Sequence, residues 1–230
     1  MPKPPYSSAL IVGAGPGLGA SLARTFAREG GMRVMVAARQ RDRLDAIALG
    51  TGAGVAICDS TDAASVAALF DAAATNFGAP PEVVVYNASM RVRGPFVDVD
   101  AIAMERAVRV TAYGAFLVAQ QAARRMLPLG RGAILFTGAS AGVKGYAQSA
   151  AFAMSKFALR GLAQAWRASS HRSASTWAMS SSTAAFAPRA TRAPRATTSI
   201  TKFLVDLAAR RNFADPMLFA SSASVRPSWR

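Results

Sequence analysis

The stretch that decides the fold covers residues 9–19 and reads ALIVGAGPGLG. Its first four residues are apolar and predict a buried strand, and the glycines that follow predict a sharp turn into a helix that begins at Leu18. Without side chains the turn can approach a phosphate closely, and the N–H groups of the helix start favour its negative charge. Such turns also occur as plain loops, so the rest of the chain must show whether this one binds a phosphate. The candidate phosphate-binding residues are Gly13, Gly15, Gly17, Leu18 and Gly19.

The chain around this stretch alternates apolar runs with amphipathic segments, a pattern typical of β-α-β units around a parallel sheet. We predict strands at residues 9–12, 33–37, 54–58, 83–86 and 133–137. We predict helices at about residues 18–28, 41–49, 63–77, 101–126 and 149–167. Right-handed crossovers between these strands predict an α/β fold, a doubly wound parallel sheet of Rossmann type that forms a dinucleotide-binding domain over residues 1–165.

Length and composition exclude several classes of protein. The 230 residues suit one α/β domain, and no apolar run is long enough for a signal peptide or a membrane span, so we expect a cytoplasmic protein that does not contact a membrane. The single cysteine, Cys58, excludes an intrachain disulfide. One histidine, His171, and carboxylates that are not grouped lead us to expect no metal site.

Residues 166–230 form a tail of different composition. The net charge is +15, of which residues 1–165 carry +7 and the much shorter tail carries +8, together with 18 Ser and Thr residues. A segment of this kind buries too little apolar surface to offset its chain entropy. We therefore expect a poorly ordered tail, with one candidate helix or strand at residues 203–209, and a sheet that is incomplete at its C-terminal edge. Aromatic side chains do not alternate with the arginines, so we expect no nucleic-acid partner.

Arg39 follows the second predicted strand, where a dinucleotide fold meets the adenosine ribose. A carboxylate there would accept a hydrogen bond from a free 2′-hydroxyl, whereas an arginine beside small neutral residues accommodates a 2′-phosphate. The residue favours NADP over NAD. The alternative is that Arg39, Arg41 and Arg43 are only the solvated start of a helix.

Two further strands end in polar residues. Asp59 follows the third strand and is a candidate acceptor for an adenine amino group, although a helix cap formed by Ser60 or Thr61 would also explain this segment. Asn87 follows the fourth strand at the carboxyl edge, where open α/β sheets bind ligands. An asparagine in this place is alternatively only a turn former.

Four motifs in the expected order make residues 8–165 resemble the short-chain dehydrogenase/reductase family. The glycine turn resembles the family's TGxxxGxG pattern, and the segment YNAS at residues 86–89 resembles its NNAG pattern. Ser140 matches the family's serine, and Lys156 matches the lysine of its YxxxK motif. The resemblance implies that Asn87 and Ala88 lie beside the cofactor, that Lys156 bonds the nicotinamide ribose and that Ser140 orients a carbonyl.

The resemblance also implies an activity and a mode of assembly. It implies an NADP-dependent oxidoreductase that interconverts a small alcohol and a carbonyl compound by hydride transfer. Family members pair through their long helices, here at about residues 101–126 and 149–167, which implies a homodimer or homotetramer.

Two positions depart from the family pattern. Phe152 stands where the family has its catalytic tyrosine, four residues before Lys156 and on the same helix face. Thr111 stands where the family has a helix asparagine, three residues before Gly114. The tyrosine exchanges a proton with the substrate oxygen, and phenylalanine has no proton to give.

Three explanations of Phe152 remain open at this point. The proton is carried by Ser140, Lys156 or a bound water, with Tyr146 or Tyr113 nearby. Alternatively the chain is a pseudoenzyme that binds the cofactor without turnover and acts as a sensor or partner. The third explanation is that Phe152 is simply a core aromatic residue at helical spacing.

The tail lacks the sixth strand and substrate loop that the resemblance implies. If the third base of each codon is joined to the first two bases of the next, permissible codons convert the tail into a helix end, a turn, an apolar strand and a glycine loop. Trp177 followed by Ala178 then forces a glycine, because tryptophan has a single codon. We therefore hypothesise a one-base insertion or deletion near codon 165, in the gene or in its sequencing. Stop codons in the alternative frame would exclude this hypothesis.

Overall fold

Six parallel strands form the sheet of this protein, for which a computed structural model describes residues 6–169 and the strand at 176–181. The strands are β1 (Ser8–Val12), β2 (Arg33–Ala38), β3 (Gly54–Ile57), β4 (Val83–Tyr86), β5 (Ala133–Gly138) and β6 (Thr176–Ser181). They lie in the order β3-β2-β1-β4-β5-β6. Strands β1, β4 and β5 are buried along their whole length, as expected for a parallel sheet that is covered on both faces.

Six α-helices connect or follow the strands. They are α1 (Leu18–Arg24), α2 (Arg41–Thr51), α3 (Ala63–Phe77), α4 (Ala101–Val108), α5 (Gly114–Met126) and α6 (Ala150–Ser169). A π-helical turn at Thr25–Glu29 extends α1, and another at Arg109–Tyr113 joins α4 to α5. The predicted helix at residues 101–126 is therefore one continuous helical segment with a π-helical turn inside it.

Alternate residues of each strand point to opposite faces and supply two apolar clusters. On one face, residues such as Leu10 and Val84 pack with side chains of α3, α5 and α6, including Phe70 and Leu159. On the other face, Ile11 and its neighbours pack with side chains of α1 and α2. The sheet is thus held between two helical layers, and only its ends are open for a ligand.

The predicted α/β fold, a doubly wound parallel sheet of Rossmann type, is confirmed, and the five predicted strands form β1 to β5, but a sixth strand, β6, was not predicted. Strand β6 pairs with β5 from Ala133 opposite Thr176 to Gly138 opposite Ser181, and α6 runs through the predicted boundary at residue 165. Half of the β6 residues are Ser or Thr, so no apolar pattern indicated a strand. Three expectations lie outside the described residues. They are the candidate element at residues 203–209, the order of the remaining tail, and the incompleteness of the sheet beyond β6.

The direction of the chain across the sheet changes between β1 and β4. From β1 the chain proceeds outward through β2 to β3 and then returns to β4 on the other side of β1. The connections after β1 and β4 consequently diverge and leave a crevice at the carboxyl ends of these strands, where doubly wound folds bind ligands. Val12, Tyr86 and Phe136 lie opposite one another across β1, β4 and β5, so the residues that follow them line one edge.

We expect Gly13→Ala to destabilise the protein by about 1–3 kcal/mol from backbone strain, because Gly13 has a φ of 82°. The added Cβ would also lie 2.5 Å from the Ala88 Cα, which is too close for two carbon atoms. Urea unfolding without any ligand measures the free energy. Gly15→Ala is the matched control, since open space surrounds Gly15, and its effect should stay within about 0.5 kcal/mol. Equal losses in both variants would contradict this account of the turn.

Candidate active site

The glycine turn lies at the crevice, as the sequence predicts. The backbone N–H groups of Gly13 and Ala14 donate to the Ala37 carbonyl oxygen at 2.8 and 3.1 Å, which fixes the turn against β2. Around Gly15 and Gly17 a Cβ atom would meet nothing within 4 Å, so a ligand can approach this backbone. The turn then leads through Leu18 and Gly19 into α1.

Asn87 holds the turn in place from the neighbouring strand. Its backbone N–H donates to the Val12 carbonyl oxygen at 2.8 Å, and its side-chain amide donates to the Gly13 carbonyl oxygen at 2.9 Å. Ala88 packs directly against Gly13. The predicted residues at the ends of β1 and β4 are thus brought together, and Asn87 acts on the turn as a positioning residue.

Arg39 and Asp59 lie at the ends of β2 and β3, and both are exposed. One Asp59 carboxylate oxygen accepts hydrogen bonds from the backbone N–H and the hydroxyl of Thr61, at 2.9 and 2.8 Å. The backbone hydrogen bond from Thr61 is the main cause that lowers the pKa of Asp59, and the charges of Arg39 and Arg106 act in the same direction. The carboxylate therefore stays charged at neutral pH beside Arg39.

The expectation that Ser60 or Thr61 caps the next helix is wrong. Asp62 is the N-cap of α3, and its carboxylate accepts a hydrogen bond from the Ala64 N–H at 2.9 Å. Asp62 has the better position because it directly precedes the first helical residue. Ser60 is buried instead and bonds to the phenol of Tyr86.

Tyr86 connects the sheet to the π-helical turn, a role that the sequence did not indicate. The Tyr86 hydroxyl donates to the Val110 carbonyl oxygen and lies 3.1 Å from the Ser60 hydroxyl. Burial raises the pKa of Tyr86 well above its ordinary range, so the phenol keeps its proton. A buried tyrosine at a strand end needs a partner for its hydroxyl. That requirement was the only signal for this contact.

Thr111 lies in the π-helical turn and is fully buried. Its hydroxyl oxygen accepts a hydrogen bond from the Met90 backbone N–H at 3.2 Å. Thr111 thus connects the helix to the loop that follows β4. Turns of this π type are frequent at functional sites because they reposition side chains that a regular helix would aim elsewhere.

Lys156 lies on α6, with only 3% of its surface exposed. We use the word cleft for the region where Lys156 and Phe152 lie near the carboxyl ends of β1, β4 and β5. Its ammonium group donates to the Thr137 carbonyl oxygen at 2.7 Å, near the end of β5. Burial, with a smaller contribution from the charge of Arg91, lowers the pKa of Lys156 from its ordinary value to about 8. The ammonium therefore keeps its proton at neutral pH and can lose it slightly above.

Phe152 faces the same cleft, as its spacing from Lys156 predicts. The Lys156 Nζ lies 5.8 Å from the centroid of the Phe152 ring, and the Arg91 Cζ lies 4.3 Å from it. The ring is 8% exposed, so the interpretation as a core aromatic residue is only partly right: it is buried, yet it meets two cations. Arg91 was missed because its contact with Phe152 joins segments that are distant in the sequence.

Ser140 begins a short 3₁₀ helix at Ser140–Gly142 after β5 and is half-buried. The two tyrosines expected near the site of proton transfer have contacts of their own. Tyr113 stacks on Phe116 with ring centroids 6.4 Å apart, and Tyr146 lies 5.1 Å from the Lys144 Nζ. Both tyrosines are partly exposed. Neither of these contacts includes Phe152 or Lys156.

Within the described part of the chain, no group of three or more His, Cys, Asp or Glu side chains could hold a metal ion. The helices of that same part include none long and apolar enough to cross a membrane.

The low pKa of Lys156 makes stability depend on pH. Between about pH 8 and 10.5 the native lysine loses its proton while the unfolded lysine keeps it. The unfolded chain then binds more protons, so stability rises with pH in this window, by up to about 3 kcal/mol. The quantity to measure is the difference in the free energy of unfolding between the parent chain and the Lys156→Met variant. We expect this difference to increase from pH 7.5 to pH 10. Lys144→Met, which removes an exposed lysine, is the control variant, and an equal pH dependence of the two differences would contradict the assignment.

Comparisons with known proteins identify the family. A family model described as short chain dehydrogenase matches residues 7–176. The chain is 34% identical over 163 residues to (+)-borneol dehydrogenase 1 of Salvia officinalis, over 67% of this chain and 60% of that protein. It is 31% identical over 162 residues to D-threitol dehydrogenase of Mycolicibacterium smegmatis, over 68% and 61% respectively.

One solved structure agrees with these sequence matches. A variant of actinorhodin polyketide ketoreductase with NADPH has a TM-score of 0.71 at 27% identity, over 76% of this chain and 69% of that one. The chain spans about 60% of the length of the two curated relatives named above. Because the family model covers most of its residues, the chain belongs to the short-chain dehydrogenase family.

Proposed function

We propose that this chain is an NADP-dependent oxidoreductase that interconverts a small alcohol and its carbonyl compound. One observation carries the proposal: the buried Lys156 bonds to the end of β5, two strands from the glycine turn that follows β1. A cofactor whose phosphates lie on the turn would bring its reactive end toward this lysine. Two relatives carry dehydrogenase names, one for borneol and one for D-threitol, and both are alcohols.

The residues present fit a nicotinamide dinucleotide. The open backbone at Gly15 and Gly17 would hold the pyrophosphate, with Leu18 and Gly19 leading into the helix behind it. Asn87 and Ala88 hold the turn from the next strand. Lys156 would hold the nicotinamide ribose.

Arg39 would hold the adenosine 2′-phosphate, which favours NADP over NAD. Its side chain is exposed, and no ion pair of the described residues includes it. Arg41, in contrast, pairs with Asp45 one helical turn later, at 3.5 Å. Asp59 would contribute to the adenine end.

When bound, NADPH supplies the hydride that adds to the carbonyl carbon. The protein must then deliver one proton to the carbonyl oxygen. We assign this proton to the Lys156 ammonium, because a pKa of about 8 suits a general acid at neutral pH. Ser140 would orient the carbonyl, and Thr111 holds the loop behind it through Met90. Water would return the proton to Lys156 after the alcohol leaves.

We also propose a homodimer or homotetramer formed through α4, α5 and α6. Large apolar side chains are exposed on these helices and the turn between them, and a set of this kind marks a protein interface. They are Ile102, Tyr113, Phe116, Met154 and Phe157. The cytoplasmic location that we expect from the sequence stays a prediction.

We expect NADPH to bind about tenfold to a hundredfold more tightly than NADH, since a 2′-phosphate on Arg39 adds charge-assisted hydrogen bonds. Arg39→Gln should remove this preference and leave NADH affinity unchanged, as isothermal titration calorimetry would measure. Arg41→Gln is the matched control, because that arginine already pairs with Asp45. If both variants lower NADPH affinity equally, Arg39 is only part of a solvated basic helix start.

We expect Phe152→Tyr to raise turnover about 10²- to 10⁴-fold, because it restores a positioned acid beside Lys156. NADPH oxidation with a panel of carbonyl compounds measures the rate. Phe96→Tyr is the control, because it adds a hydroxyl to a ring that is 84% exposed, and it should leave turnover unchanged. One outcome would support a pseudoenzyme instead: the parent chain binds NADPH, but the Phe152→Tyr variant turns over none of the carbonyl compounds.

A further inference from the structure

We infer that Arg91 selects the substrate of this cleft, and that the substrate carries a carboxylate beside its reacting carbonyl or alcohol carbon. The inference rests on the proposed function and deepens it, because it names the class of substrate for the same site. It stands on the contacts of Arg91, the charges around it and the way its loop is fixed.

Arg91 lies in the loop after β4, at the edge of the sheet that holds the glycine turn. Its side chain is exposed, and its Cζ is 4.3 Å from the centroid of the Phe152 ring. This is the shortest contact between a cation and an aromatic ring among the described residues. The guanidinium therefore lies over the residue that replaces the family's tyrosine.

Two cations share this ring, and neither is neutralised by an acid. Lys156 and Arg91 both lie within 6 Å of the Phe152 centroid. The ion pairs among residues 6–169 use the acids Asp45, Glu105, Asp71 and Glu82, and none of them includes Arg91 or Lys156. Two unpaired positive charges in one cleft favour an anionic ligand, whose binding would relieve their repulsion.

The loop that carries Arg91 is fixed on both sides. On one side the Met90 N–H donates to the Thr111 hydroxyl at 3.2 Å. On the other side the Gly94 N–H donates to the Gln148 carbonyl oxygen at 3.4 Å, which joins the loop to the segment before α6. Gln148 has a φ of 54°, a strained conformation of the kind that clusters at ligand sites. Arg91 is thus held over the cleft rather than left as a free surface side chain.

The chemistry of the guanidinium selects a carboxylate. The Phe152 ring attracts the cation but accepts no conventional hydrogen bond, and no hydrogen bond or ion pair among the described residues includes Arg91. Its N–H donors are therefore available in the planar fork that matches the two oxygens of a carboxylate. Arg91 would bind and orient the substrate, while the proton comes from Lys156 as proposed above.

The test compares two ligands that differ by one negative charge and one methyl group, benzoylformate and its methyl ester. Each is titrated calorimetrically into the protein saturated with NADP⁺, which cannot reduce a ketone, so affinity is measured whether or not the chain is active. We expect the acid to bind about tenfold to a hundredfold more tightly than the ester. Arg91→Gln should remove this preference while the ester's affinity and the NADP⁺ affinity stay the same. Arg91→Lys should keep part of it, because the charge remains and the fork is lost.

Arg93→Gln is the matched control, since it removes an exposed arginine from the same loop and should keep the preference for the acid. Equal affinities of acid and ester in the parent chain, or an unchanged preference in Arg91→Gln, would overturn the inference. An equal loss in Arg93→Gln would overturn it too, since the preference would then reflect the general positive field. A loss of NADP⁺ affinity in Arg91→Gln, with the acid preference intact, would assign Arg91 to the cofactor.

The same titrations separate this inference from the proposed function. If NADP⁺ does not bind to the parent chain, the proposed function is wrong. The comparison of acid and ester is then made without NADP⁺, and it still decides whether Arg91 binds a carboxylate.

Discussion

The hydrogen bond from the Asn87 side-chain amide to the Gly13 carbonyl oxygen joins the two strands between which the chain changes direction across the sheet. It orients the glycine turn after β1 from the end of β4, and the Asn87 backbone N–H reinforces it through the Val12 carbonyl. On its other side the turn is held through the Ala37 carbonyl oxygen of β2. The remaining features of the cleft depend on the same alignment of β1 and β4.

Hydrogen bonds also connect β4 to the helical layer. Tyr86, the last residue of β4, bonds to the Val110 carbonyl oxygen in the π-helical turn. The next residue, Thr111, bonds to Met90 in the loop after β4. These hydrogen bonds connect the end of β4, the π-helical turn and the loop after β4 to one another. Arg91 is the next residue in that loop after Met90. The position of Arg91 over Phe152 is a consequence of how β4 ends.

Much of the fold could be predicted because its signals are local. Apolar runs and the glycine turn identified five strands, and the spacing of Phe152 and Lys156 placed them on one helix face. Contacts between distant segments could not be predicted in this way. Arg91 meets Phe152, and Tyr86 meets Val110, only after the sheet has formed. Strand β6 was missed for a related reason, since backbone pairing with β5 defines it and its side chains carry no strand pattern.

The span of the Asn87–Gly13 bond has a consequence for how this protein folds. The two residues are 74 positions apart, and each neighbouring strand pair is parallel, so no hairpin can form early and guide the rest. Contacts of such long range form slowly, because loop-closure entropy is lost before they contribute. The glycine turn therefore does not reach its final geometry until β4 has docked beside β1. A dinucleotide would bind only chains past that step, and would shift the folding equilibrium toward them by mass action.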